Sequence, residues 1–181
     1  HCVTRRQRQM CIRDSYCIFM QPGANGLPIH GGPMRYESDH WYHYHDGVMR
    51  NGLMVATWAL NDVGPDDGGF VCIPGSHKTN FLQAVPSAVL RQEIRPDYVV
   101  QPQLRAGDVL LFTEALIHGT ATWQGSQERR TLLYKYSPPH SRWAKVPYNL
   151  LDYPNASPQQ QRLMAPASVE DHAKVLDSAA N

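Results

Sequence analysis

The feature that most constrains the fold of this chain is a succession of short apolar runs, from Tyr16 onward, separated by Gly, Pro, Asn and Asp. Runs of this length between turn residues favour β-strands over long helices. The Asp46-Gly47 pair tolerates the positive φ values of a tight turn and predicts a hairpin between two of the runs. The predicted strands are Tyr16–Met20, Tyr42–His45, Val48 onward, Leu53–Leu60, Phe70–Ile73, Tyr98–Gln103, Val109–Thr113 and Thr131–Tyr136. Short strands at this spacing indicate a mainly β domain, a sandwich or barrel of antiparallel sheets.

Helices are predicted only at the margins of this β pattern. A helix is plausible within Asn80–Arg95, where Pro86 limits its start. Ser157-Pro158 can begin another that runs through Met164, with serine as the cap and proline at the first helical position. Val169–Ala179 is a third candidate.

Three parts of the chain differ in composition. Residues 1–15 are polar and basic, and their apolar residues follow neither the helical nor the strand periodicity. They begin with His1 rather than Met, so we interpret them as a non-native or disordered segment of a fragment. Residues 16–147 are predicted to form the β core, and residues 148–181 a C-terminal extension with short helices. The 181 residues have enough apolar material for one domain with one core.

The charge balance narrows the classes of partner. Seventeen Lys and Arg against sixteen Asp and Glu leave no basic excess for a nucleic acid or a membrane surface. No apolar run approaches the roughly 18–20 residues that span a bilayer, and no secretory signal pattern is present. The expectation is a cytoplasmic protein that acts on a small molecule.

Three segments place polar, metal-competent or anion-binding residues beside apolar strands. They are Leu27–Gly32, with sequence LPIHGG; Asp67–Lys78, with sequence DGGFVCIPGSHK; and Gly107–Gly119, with sequence GDVLLFTEALIHG, followed by Glu128–Leu133. In this order the chain resembles the phytanoyl-CoA dioxygenase-like enzymes, from about Tyr16 to Trp143. The resemblance lies in the combination of a strand ending in His-Gly, an arginine eleven positions later and a Pro-Gly-Ser-His turn upstream.

The resemblance implies a double-stranded β-helix, or cupin-like jelly roll, with a few peripheral helices. It also implies an enzyme that uses Fe(II), 2-oxoglutarate and O2, usually to hydroxylate small molecules. Fe(II) held by two imidazoles and one carboxylate keeps positions open for the keto acid and O2. His118 matches the distal histidine of the family, and as a residue that follows an apolar strand it would project into the mouth of the barrel.

The arginine suits the far carboxylate of 2-oxoglutarate, because its planar fork makes two charge-assisted hydrogen bonds. Strand alternation lets only one of Arg129 and Arg130 point inward. The family spacing from His118 selects Arg129 as the cosubstrate anchor.

The third metal ligand is where the chain departs from the family pattern. The family has histidine, any residue, then aspartate; Pro28-Ile29-His30 fits the approach, and His30 is the predicted second ligand, but Gly32 stands where the carboxylate belongs. A carboxylate could come from Glu37, Asp39 or Asp46, the position could take a halide as in related halogenases, or metal binding could be impaired. Glu114 is predicted to line the cavity rather than to bind metal.

The leading hypothesis is therefore an Fe(II)- and 2-oxoglutarate-dependent dioxygenase that hydroxylates a small organic molecule. Because Gly32 replaces the expected carboxylate, the alternatives are a halogenase-like variant and a non-catalytic jelly-roll module that binds a small molecule.

Overall fold

The structure is a computed structural model that describes residues 11–31, 39–79, 84–138, 140–141 and 148–165. Within them the strands are β1 (Cys11–Met20), β2 (Leu27–His30), β3 (Tyr42–His45), β4 (Val48–Asn51), β5 (Met54–Ala59), β6 (Gly69–Cys72), β7 (Val109–Thr113), β8 (His118–Ala121) and β9 (Arg129–Ser137). The helices are α1 (Ser87–Leu90) and α2 (Pro158–Met164), with 3-10 turns at Ser76–Lys78 and Leu150–Asp152. The mainly β prediction is confirmed.

Two sheets enclose the interior. One has the strand order β1-β9-β5-β7, the other has the order β2-β8-β6, and every pairing in them is antiparallel. Neighbours in the sheets are distant in sequence, as in a jelly roll, where the chain crosses between sheets. Strands β3 and β4 form a separate hairpin, and its turn has the predicted positive φ values, 52° at Asp46 and 73° at Gly47.

The core between the sheets comes from side chains that alternate inward along each strand. Val55 of β5, Phe70 of β6, Phe112 of β7 and Leu133 of β9 form one buried cluster. A second cluster, on the opposite face of the smaller sheet, joins Ile29, Val71 and Ile117 with Val89 and Val99. A third joins Met20, Val63 and Trp123. Both sheets are therefore anchored by apolar contacts on the strands that carry the candidate site.

Several predicted elements differ in the structure. Strand β1 begins at Cys11, five residues before the predicted start at Tyr16, because its pairing with β9 continues to Ser137. The predicted strand Tyr98–Gln103 is wrong. Only isolated bridges form there, at Val100 and Leu104, and the nearby Pro96 and Pro102 have no amide hydrogen for a ladder.

The helical predictions are confirmed in part. α2 follows Ser157 as predicted, and Ser157 and Gln160 form a reciprocal capping box. Of Asn80–Arg95 only Ser87–Leu90 is α-helical among the described residues, starting directly after Pro86. The candidate Val169–Ala179 and residues 1–10 lie outside the described residues. None of the described helices is long and apolar enough to cross a membrane.

Candidate metal and cosubstrate site

The two predicted histidine ligands lie side by side on neighbouring strands. His118 is the first residue of β8, and His30, the last residue of β2, is its direct partner across the antiparallel pair. Their ring centroids are 4.6 Å apart. Facing residues of an antiparallel pair point to the same side of the sheet, which brings both imidazoles to one cavity. The prediction that His118 ends an apolar strand is wrong in detail, because β7 ends at Thr113 and a turn separates it from His118.

Both imidazoles are oriented in the same way. His30 Nδ1 donates to the carbonyl of Pro28 at 2.8 Å, and His118 Nδ1 donates to the carbonyl of Leu116 at 2.8 Å. A carbonyl oxygen only accepts, so the proton of each neutral ring lies on Nδ1. The lone pair of each ring is therefore on Nε2, the arrangement in which a second hydrogen bond orients a metal-binding histidine.

His118 is also locked by its neighbours. It is 8% exposed, and the rings of Phe70 and Phe112 lie 5.8 Å and 4.7 Å from its own centroid. Burial lowers the pKa of His118 to about 4, so the ring is neutral, and able to bind a metal, at pH 7. The Pro-Gly-Ser-His turn supports this position, because the buried Ser76 hydroxyl accepts a 2.8 Å hydrogen bond from the amide of Ile117.

A carboxylate lies beside His118. Glu114 is 4% exposed, and its Oε2 is 3.8 Å from His118 Nε2. Its other oxygen, Oε1, is 2.8 Å from Nζ of Lys135. Burial alone raises the pKa of Glu114, but the nearby ammonium of Lys135, through its charge and its hydrogen bond, is the main influence that holds the pKa below its usual value. Glu114 is therefore an ionised carboxylate inside the cavity.

The other end of the cavity is formed by Arg129. This residue is 3% exposed, whereas Arg130, next to it on β9, is exposed and pairs with Glu128. The prediction that only one of the two points inward is confirmed. Burial lowers the pKa of Arg129. Among the described residues its Nε has no hydrogen-bond partner, and Nη1 contacts the sulfur of Met20 at 3.4 Å.

A buried guanidinium without a carboxylate is costly unless something pairs with it. In the described part of the chain, no acidic side chain forms an ion pair with Arg129. The buried hydroxyl of Thr57, which lines the same cavity, also has no partner. These groups fit a small dicarboxylate that brings its own negative charge.

The two ends of the cavity lie against opposite ends of strand β6. Arg129 packs against Gly69, where an added β carbon would lie 2.9 Å from Nε, and His118 is paired with Cys72 on the same strand. Three residues of β-strand span about 10 Å. His30, His118 and Arg129 all line the one cavity.

Of the carboxylates considered in place of Gly32, neither of the two that the structure describes lines the cavity of His30 and His118. Asp46 is exposed in the hairpin turn and pairs with His45; Asp39 is buried but does not line the cavity; Gly32 and Glu37 lie outside the described residues. No three His, Cys, Asp or Glu side chains of the described ranges are close enough, as placed, to hold a metal ion. Two imidazoles and an arginine with no acidic partner in the described ranges thus fit iron and its cosubstrate, while no third protein ligand is in place among those residues.

Sequence reasoning missed Lys135. The inward positions of β9 are Arg129, Thr131, Leu133 and Lys135, the last of which lines the cavity. Period-two alternation from Arg129 would have placed this lysine inside, and a lysine at an inward position is itself a signal of a buried partner.

The fold and site define a double-stranded β-helix of the class that holds iron and a keto acid. The sequence model described as phytanoyl-CoA dioxygenase (PhyH) matches residues 6–131. The chain belongs to this family, as predicted, and Fe(II), 2-oxoglutarate and O2 are the family's cofactors.

Relatives and solved structures agree with this assignment. The chain is 32% identical to the dioxygenase af480 of Aspergillus fumigatus over 163 residues, which cover 87% of this chain and 48% of that protein. It therefore spans about half the length of this curated relative. The crystal structure of HygX from Streptomyces hygroscopicus with nickel, 2-oxoglutarate and hygromycin B bound has a TM-score of 0.65 and 25% identity, covering 83% of this chain and 65% of HygX. The iron-bound HygX structure has a TM-score of 0.63 and 26% identity, with 83% and 68% covered.

Proposed function

We propose that this chain carries an Fe(II)- and 2-oxoglutarate-dependent dioxygenase activity that hydroxylates a small organic molecule. The observation that carries the proposal is that one cavity holds two imidazoles whose Nδ1 atoms donate to carbonyls and a buried arginine with no carboxylate partner among the described residues. HygX supports the cofactors and the size class of the substrate, because it binds 2-oxoglutarate and the small molecule hygromycin B.

In this proposal each residue has a separate task. His30 and His118 would hold the iron through Nε2, while the carbonyls of Pro28 and Leu116 keep both rings in the metal-binding tautomer. Arg129 would bind the far carboxylate of 2-oxoglutarate through its fork. Bound iron, together with 2-oxoglutarate and O2, supplies oxidation of a C–H bond coupled to loss of CO2 from the keto acid. Phe70 and Phe112 exclude water from the buried side of His118.

The test is release of succinate from 2-oxoglutarate by the chain with Fe(II) and O2. We expect turnover by the unaltered chain and by Arg130→Lys, and loss of turnover in His118→Ala. In Arg129→Lys the KM for 2-oxoglutarate should rise at least tenfold, because a lysine cannot reproduce the two parallel hydrogen bonds. Absence of iron-dependent succinate release from the unaltered chain would favour the non-catalytic binding module.

The open third ligand keeps halogenation as a second candidate. A halogenase would require chloride or bromide for product formation and would place the halogen in the product. Product mass spectra recorded with and without halide separate this reaction from hydroxylation.

A further inference from the structure

We infer that Glu114 supplies the carboxylate that completes the metal site in place of the residue expected at position 32. This inference rests on the proposed iron-dependent function and identifies the third protein ligand of the same site. It departs from the family pattern, in which the carboxylate follows the first histidine by two residues.

The position of Glu114 carries the inference. Among the described carboxylates, only Glu114 lines the cavity that also contains His30 and His118. Its Oε2 lies 3.8 Å from His118 Nε2. Two ligand atoms about 2.1 Å from one metal ion and at right angles to each other are about 3 Å apart. A glutamate closes the remaining distance of less than about 1 Å by rotation about its side-chain bonds.

The backbone around His30 favours this turn as the source of the ligand. The turn between β7 and β8 carries Glu114 and lies against the residue that follows His30. A β carbon on Gly31 would lie 2.3 Å from the carbonyl oxygen of Leu116 and 3.3 Å from that of Glu114. Gly31 also has φ of +97°, a conformation that other residues adopt only with strain. Position 31 thus allows the Glu114 turn to approach the His30 strand end closely.

The contact with Lys135 explains how the buried carboxylate of Glu114 keeps its charge compensated while one oxygen stays on the side of His118. Its Nζ binds Oε1 at 2.8 Å and leaves Oε2 on the side of His118. A carboxylate bridging an ammonium group and a metal ion keeps its negative charge compensated both with and without the metal.

The first measurement is the affinity of the metal-free chain for Mn(II), without O2. Glu114→Gln should bind Mn(II) more than about 100-fold more weakly, beyond the roughly 10- to 100-fold loss typical when an outer partner of a ligand is removed. Glu128→Gln is the matched control, because Glu128 pairs with Arg130 outside the cavity, and it should bind as the unaltered chain does. Unchanged Mn(II) affinity in Glu114→Gln would overturn the inference. So would a loss of this size in Asp39→Asn while Glu114→Gln binds Mn(II) normally.

The second measurement tests direct contact with the metal. We combine Glu114→Cys with Lys135→Met, since the methionine removes the ammonium that would otherwise be left buried without its carboxylate. Co(II) added to this double variant should give the near-ultraviolet charge-transfer band of a cobalt–thiolate bond, and Co(II) added to Glu128→Cys should not. Bound Co(II) without this band in the double variant refutes the assignment of Glu114.

The two proposals fail in different ways. If the unaltered chain binds no Mn(II) or Co(II), the metal-dependent function fails. If it binds both metals but position 114 has no effect, only the assignment of Glu114 fails, and a halide-dependent product would then point to the open position instead.

Discussion

Two cations on the inward face of β9, the buried Arg129 and the partly buried Lys135, have opposite surroundings. Lys135, near one end of the strand, contacts the carboxylate of Glu114 at 2.8 Å. Arg129, at the other end, has no acidic partner within the described ranges; its Nε has no hydrogen-bond partner there, and Nη1 contacts the sulfur of Met20. The first cation is compensated by the chain itself, and the second is suited to a charge that arrives with a ligand. A buried cation without an internal partner is thus a better indicator of a binding site than burial of charge alone.

The largest effect expected from this comparison is on stability at the compensated end. Lys135→Met should lower the free energy of unfolding by about 3–5 kcal/mol, because it leaves the Glu114 carboxylate buried without its ammonium. Urea denaturation measures this loss. The double variant with Glu114→Gln should recover most of it, and a loss in the double variant as large as in Lys135→Met would show that the pair is not the cause.

The next effect concerns the binding of 2-oxoglutarate at Arg129. In the presence of Mn(II) and without O2, 2-oxoglutarate at about 100 times its Kd should stabilise the unaltered chain by about 2.7 kcal/mol. Thermal unfolding should show this shift in Arg130→Met and lose it in Arg129→Met. Equal shifts in the two arginine variants would contradict the role of Arg129.

A smaller effect, an increase in stability, is expected for a substitution of Arg129 when no ligand is bound. Arg129→Met should raise the free energy of unfolding of the ligand-free chain by about 1–2 kcal/mol, since it replaces an uncompensated buried charge by an apolar side chain. The exposed control Arg130→Met should change it by less than about 0.5 kcal/mol. Destabilisation by Arg129→Met in denaturant unfolding would mean that the guanidinium has a structural partner.

The smallest expected effect tests the contact that supports Arg129. Gly69 has φ of +78°, and an added β carbon would lie 2.9 Å from Arg129 Nε, whereas Gly23 has φ of +81° and nothing within 4 Å. Alanine at either position should cost about 1 kcal/mol of backbone strain. Only Gly69→Ala should also weaken 2-oxoglutarate binding, measured by titration. The comparison fails if Gly23→Ala weakens binding equally.

Much of the fold could be predicted from local patterns, and the failures have local reasons as well. The Asp46-Gly47 hairpin, the strand Val109–Thr113 and the helix after Ser157 follow from turn residues, alternation and capping, which act over a few residues. Tyr98–Gln103 was wrong because a suitable apolar pattern does not ensure a neighbouring strand with which to pair. The roles of His30, His118 and Arg129 as ligands stay predictions for the experiments above.

The sequence by itself determined the family, the mainly β class and that only one of two adjacent arginines faces inward, because alternation along a strand has a period of two residues. The family spacing from His118 then selected Arg129. Only the tertiary structure decided what each inward side chain meets. The pairing of β2 with β8 brings His30 to His118, and the turn after β7 brings Glu114 to Lys135. No carboxylate of the described segments reaches Arg129. The physical reason is that such contacts depend on sheet order and strand register, which are set by packing of the whole domain and not by neighbouring residues.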